Sequence, residues 1–191
     1  MVTTQLEANS EKVKRYQNIR YWCQDESRIG LITLHDTKIT GKGIQPTGKK
    51  QWKFDYLWLY GLVEPRTGEN FFREFSHLDG LCFEQYLSWF AQEYPDDLHL
   101  IQVDNSRCHT WLELQLPDNV ILIFQPPYSP EVNPIERLWQ EIKKPLKWEF
   151  FPDLDDLRKR LSKILSKLSS QVITQITGWD FILNALSVAN I

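Results

Sequence analysis

The chain has 191 residues, 42% of them hydrophobic and 25% charged, with 8 Gly and 10 Pro. That length fits one domain, which buries roughly 70% of the surface its unfolded chain exposes, and the composition excludes collagen-like, low-complexity and wholly disordered chains. The net charge of −3 by itself points to no polyanion. The longest apolar stretch, residues 56–63, contains Gly61 and is far short of the ~20 residues a membrane-spanning helix needs, so no membrane partner is expected. The start of the chain lacks the basic-then-apolar layout of a signal peptide. Cys23, Cys82 and Cys108 form no C-x-x-C pair, which excludes a zinc ribbon or disulfide framework and suits free thiols in a reducing cytoplasm.

Charge is unevenly divided. Residues 1–60 hold 10 Lys/Arg against 6 Asp/Glu, residues 61–136 hold 3 against 13, and residues 137–191 hold 9 against 6. Basic flanks around an acidic middle suit a phosphate-binding surface around a carboxylate-rich centre that needs cations. Solvated faces alone give the same count.

In chain order, residues 1–18 are polar and read as a lead-in segment. Residues 18–24 are aromatic and β-rich, a strand expected to end at Asp25-Glu26. Residues 37–50 hold three Gly, one Pro and four Lys and read as a basic loop. A second strand at 54–63 turns through 64–69 into a third at 70–75, an antiparallel series. Residues 80–94 carry Leu81, Phe83, Tyr86, Leu87 and Phe90 at helical spacing, stopped by Pro95. Residues 98–103 form a short apolar strand running into Asp104. The stretch around Trp111, Leu112 and Leu114 suits a short helix, and residues 120–124 a buried strand. A helix is expected from Asn133 to about Lys144, where Pro145 interrupts it. From Asp153, a capped helix start, Leu154, Leu157, Leu161, Leu165 and Leu168 follow at spacings of three and four, a stripe expected to pack on its own core. The fold class is α/β, a mixed sheet with helices around it.

Asp25 and Asp104 each close an expected strand, where α/β sheets display functional side chains. Two adjacent carboxylates repel unless a cation separates them, and magnesium, hard and octahedral, prefers such oxygen clusters. A turn or helix-cap role is the plain alternative for each. Residues 125–136 place four prolines within nine residues, a stiff, pre-extended loop. It ends on Asn133 as N-cap with Pro134 at the first helical position. Glu136 then completes an Asn-x-x-Glu capping box or serves as a third metal-binding carboxylate.

Val103-Asp104-Asn105, His109 five residues after the Asp, and P-P-Y-S-P-E-V-N-P-I-E-R-L-W at 126–139 together resemble the DDE transposases of the mariner superfamily, with the bacterial insertion sequence 630 family the nearest likeness. Asp25-Glu26-Ser27-Arg28 resembles that family's opening motif, and the likeness covers residues 19–145. It implies a ribonuclease-H-like, mixed five-stranded sheet flanked by helices. Residues 1–18 are then a lead-in, 19–150 the catalytic domain, and 151–191 a C-terminal helical extension packed on it. It also implies catalysis and metal binding by Asp25, Asp104 and Glu136, with two Mg²⁺ or Mn²⁺ ions. The metals would support strand cleavage and strand transfer of double-stranded DNA, at element ends and target, by in-line attack.

Glu26, expected on the opposite face of its strand, Asn105, His109 and Asn133 are then supporting or DNA-contacting residues. Lys38, Lys42, Lys49, Lys50, Lys143, Lys144 and Lys147 are candidates for the DNA backbone. The interval from Asp104 to Glu136 holds 31 residues, short for the superfamily, which suggests a trimmed helix before the strand at 120. Relatives carry helix-turn-helix units ahead of the catalytic domain. The resemblance therefore implies a separately encoded N-terminal DNA-binding polypeptide, or else a non-catalytic or transposition-defective DNA-binding remnant. A homodimer on DNA in the cytoplasmic nucleoid is the implied setting. Another nuclease of the same fold is the rival reading.

Overall fold

The computed structural model describes the chain apart from Met1, Asp36, Lys38, Gln45, Pro46, Lys49 and Asn190. Two of the loop lysines named above, Lys38 and Lys49, thus lie outside the described residues. The sheet is organised around β1 (Ile19–Gly30). On one side β1 pairs antiparallel with β2 (Tyr56–Val63), from Cys23 opposite Val63 to Gly30 opposite Tyr56. On the other it pairs parallel with β4 (Leu98–Val103), from Ile19 opposite Leu98 to Cys23 opposite Gln102. β3 (Asn70–Phe75) joins β2 antiparallel and β5 (Val120–Phe124) joins β4 parallel. The order β3-β2-β1-β4-β5 is the expected mixed five-stranded sheet.

The expected end of the first strand at Asp25 needs correction. β1 continues to Gly30 because β2 supplies hydrogen-bond partners along that length, and Ser27 and Ile29 stay buried. Asp25 therefore sits inside the strand, two residues past the point where β4 stops pairing with it.

Alternation along the strands sorts the side chains into two cores. On one face Trp22, Tyr60, Leu62, Phe71, Ile101 and Val103 pack with Phe83, Tyr86, Leu87 and Phe90 of α3 (Gly80–Glu93). Asp79 caps α3, accepting a hydrogen bond from the Cys82 amide at 2.8 Å. On the other face Tyr21, Cys23, Leu59, Leu100 and Ile123 meet Leu138, Leu157, Ile173 and Ile182. Those four come from α4 (Ile135–Lys143), α5 (Leu154–Leu165), α6 (Ser170–Thr177) and α7 (Asp180–Val188). The leucine stripe packs on this core as expected, although Leu168 lies beyond α5.

Residues 1–18 are more than a lead-in. They form α1 (Val2–Ala8) and α2 (Ser10–Arg15), and Val2, Leu6 and Val13 pack against the second core. The segment between β4 and β5 carries turns where a short helix was expected. Trp111 is drawn inward over Gly80, where an added Cβ would come within 2.4 Å of its ring. Among the described residues no helix is long and apolar enough to cross a membrane.

Candidate active site

Three elements bring carboxylates to one end of the sheet. Asp25 lies on β1 just beyond its parallel pairing, Asp104 follows β4 directly, and Glu136 is the second residue of α4. All three line a single cavity of about 400 Å³, together with Asn105, Ser106, Gln125, the proline-rich residues 126–130 and Asn133. This is the carboxyl end of the parallel strands, where sheets of this kind open a crevice.

The charges in the cleft are incompletely compensated. Burial, and then repulsion from Glu26 and Glu136, pushes the Asp25 carboxyl up to about 8. Glu136 is also raised, by burial and by Asp104. Asp104 goes the other way, to about 2, because His109 hydrogen-bonds its carboxylate and the Ser106 amide supports it. Lys143 lies within the field of Glu136 and Asp25, although burial lowers its own pKa. It stands two helical turns from Glu136 on α4.

Protein donors hold each aspartate. The Ser106 amide donates to Asp104 Oδ1 at 2.9 Å, an Asx turn, and His109 Nδ1 lies 2.7 Å from the same oxygen. The other ring nitrogen of His109 lies 3.0 Å from Glu26 Oε1, so the buried imidazole bridges two carboxylates. Both ring nitrogens then donate, and these hydrogen bonds outweigh burial to raise the His109 pKa well above its ordinary value. Glu26 thus faces away from Asp25, as the strand period requires, yet reaches the cleft through His109. It also accepts from Gln24 Nε2 at 2.8 Å. Asn105 donates to the Gln125 carbonyl at 2.7 Å, tying the loop after β4 to the end of β5. On the other side of the cleft, the Trp139 indole donates to Asp25 Oδ2 at 2.7 Å.

The capping box does not form. The Asn133 amide donates to the Pro130 carbonyl at 3.0 Å, and α4 starts after Pro134 without a side-chain cap. The Asn133 side chain instead donates to the Gln24 carbonyl at 2.9 Å, filling the edge of β1 that β4 leaves open. The unused carboxylate of Glu136 remains with the cleft. Tyr128, in the same loop, has a φ of 57° and a fully solvent-exposed side chain. A bulky residue in the left-handed region is strained and costs about 1–3 kcal/mol.

Of the remaining lysines, Lys42 is exposed. Lys50 lies 3.6 Å from the Trp52 ring centre, a cation–π contact, and Lys144 pairs with Glu141 at 3.7 Å. Lys147 is half-buried. Sequence reasoning did not mark Trp139, Ser106, Gln125 or Tyr128 as site residues. Trp139 read as core because its helical face is apolar, and its partner lies 114 positions away. The proline-rich setting of Tyr128 was the available signal.

A family model described as DDE superfamily endonuclease matches residues 20–158. An uncharacterized protein of Sinorhizobium fredii (strain NBRC 101917 / NGR234), y4pE/y4sA, is 30% identical over 118 residues, 61% of this chain and 87% of its own length. Among solved structures, the Mos1 transposase paired-end complex with left transposon end superposes with a TM-score of 0.65 at 14% identity, covering 92% of this chain and 56% of that one. The Mos1 mariner paired end complex with Mn gives 0.63 at 14% identity, over 91% and 56%. The chain therefore spans little more than half the length of these structures, and at such identities the likeness is one of fold.

Proposed function

The chain belongs to the DDE superfamily endonucleases, and from that membership we propose that Asp25, Asp104 and Glu136 form a divalent-metal site for DNA strand cleavage and strand transfer in transposition. The observation that carries this is the convergence of the three carboxylates on one cleft. The donor set suits the metal: the three side chains offer oxygen only, the preference of Mg²⁺ and Mn²⁺. The repulsion that Glu136 exerts on Asp25, and Asp104 on Glu136, is what a bound cation relieves. Two such ions, when bound, activate the attacking oxygen and stabilise the leaving one in an in-line displacement at phosphorus.

The chain's own groups do the rest. Asp104 is held in its ionised form by His109 and Ser106. Lys143 balances part of the carboxylate charge from below. The stiff loop at 126–130 walls the cleft, and Tyr128 offers a ring face on which an unpaired base stacks. Water serves as nucleophile in cleavage, releasing a 3′-hydroxyl at the element end. That hydroxyl then attacks a target phosphodiester, forming the new P–O bond as the bond to the neighbouring target 3′-oxygen breaks and leaves a 3′-hydroxyl there, with no covalent protein intermediate. Lys42, Lys144 and Lys147 contact phosphates. The working unit is a homodimer on double-stranded DNA.

The test is nicking of supercoiled DNA by the purified protein. Nicks are expected with Mn²⁺ or Mg²⁺ and none with chelator. Asp104→Asn should lower the rate by about 10³-fold, the equivalent of several kcal/mol of lost transition-state stabilisation. Equal nicking by the variant would refute the assignment.

A further inference from the structure

Glycine inside a strand weakens it, and it often marks a place where something approaches the backbone closely. Gly61 is such a residue: it lies in β2, directly opposite Asp25 of β1, so the two share a face of the sheet. A Cβ added at Gly61 would stand 2.6 Å from Cη2 of Trp139 and 2.8 Å from the Phe72 ring. The indole of Trp139 thus lies in the space a side chain at 61 would fill. From there its N–H reaches Asp25 Oδ2 at 2.7 Å. Trp139 is 3% exposed and packs edge-on against Phe72, with ring centres 5.8 Å apart. It also stands on α4 three residues after Glu136, on the helix that carries the third carboxylate.

We propose that Gly61 and Trp139 form a positioning device for the metal site: the missing side chain at 61 admits the indole, and the indole N–H fixes the Asp25 carboxylate relative to the helix bearing Glu136. A Phe at 139 would keep an aromatic ring in the core but bring no donor, and packing does not require the indole N–H to point at a carboxylate, as it does here. Asp25 is repelled by two acidic neighbours, and the indole supplies an N–H that steadies its charged form. A donor that orients a metal-binding carboxylate typically changes metal affinity by about 10–100-fold when removed. The inference rests on the metal-site reading above.

The test uses Mn²⁺ binding to the full chain in the presence of a short duplex, followed by calorimetry and by the spectrum of free Mn²⁺. Three variants separate positioning from packing. Trp139→Phe keeps a ring and loses the donor, and Gly61→Ala keeps the donor and displaces the indole. Phe72→Leu loosens the same packing while leaving the indole N–H in place. Weaker Mn²⁺ binding by about 10-fold or more is expected for the first two, with wild-type affinity in Phe72→Leu despite a lower melting temperature. In the wild-type protein, the indole NH resonance of Trp139 should broaden as Mn²⁺ is added, a readout that does not depend on any variant folding.

Wild-type affinity in folded Trp139→Phe, or equal loss in all three variants in proportion to their stability, would overturn the positioning role and leave the metal site standing. A sharp, unmoved Trp139 resonance at saturating Mn²⁺ would overturn it too. A wild-type protein that binds no Mn²⁺ with duplex present would remove both the metal-site reading and this inference.

Discussion

Two buried histidines show how neighbours can either leave burial to decide a side chain's charge or outweigh it. At His99 the Trp22 indole donates to Nδ1 at 3.1 Å, so the proton sits on Nε2, which donates to the Tyr94 carbonyl at 2.8 Å. Adding a proton would set two N–H groups against each other, and burial lowers the pKa of His99 below its ordinary 6.5. At His109, equally enclosed, both nitrogens face carboxylates and the pKa moves up. The linkage sign for His99 follows. Its folded-state pKa is the lower one, so the unfolded chain binds the extra proton first as pH falls. The stabilisation is complete above about 6.5 and is lost below it, at up to about 1.4 kcal/mol per pH unit. Urea unfolding at pH 7.5, 6 and 5 should show this decline, and His99→Gln, though less stable throughout, should lose that part of the slope. Identical slopes would contradict the assignment.

Elements meet at the cleft through a few side-chain latches. Asn133 joins the entry of α4 to β1 by donating to the Gln24 carbonyl, one residue before Asp25 and three before Glu136. Asn133→Ala leaves that buried carbonyl without its donor, a loss of about 1–3 kcal/mol. It should also slow nicking more than the stability loss explains, because the spacing of Asp25 and Glu136 loosens. Thermal unfolding and nicking rates measured together test this, and unchanged nicking in a destabilised variant would sink it.

The same elements show what local sequence can carry. β3, β4 and β5 were legible residue for residue, since each is an apolar or aromatic run bounded by turn residues. The acidic residues of the cleft were legible too, because the proline-rich run before Glu136 is a local signal. The continuation of β1 past Asp25 was not, because the partner that extends it is β2, from Tyr60 opposite Glu26 to Tyr56 opposite Gly30, across the intervening loop. α1 and α2 were missed because each is too short for a periodic pattern to stand out, and their few apolar residues count only once the core is there to receive them. The Asn133 latch was hidden behind a capping pattern that local rules favour equally well.

For the whole molecule, the acidic middle and basic flanks acquire a physical meaning once folded. The segment at 61–136, with 13 acidic against 3 basic residues, supplies two of the three cleft carboxylates, and the lysines that follow α4 lie outside it. DNA binding should therefore be governed by phosphate neutralisation, with affinity falling linearly in a plot of log K against log salt. Replacing Lys42, Lys144 and Lys147 by alanine together should flatten the slope by roughly 0.9 for each phosphate left without its lysine. Fluorescence anisotropy of a labelled duplex between low and physiological salt measures it, and an unchanged slope would remove these lysines from the interface. The most direct test of the central claim is Mn²⁺ titration of the protein with a short duplex, beside Asp104→Asn and Glu136→Gln. The account predicts saturable binding of two ions by the wild-type chain and a loss of sites or affinity in both variants. Heats that are flat in all three proteins, or equal in all three, would contradict it.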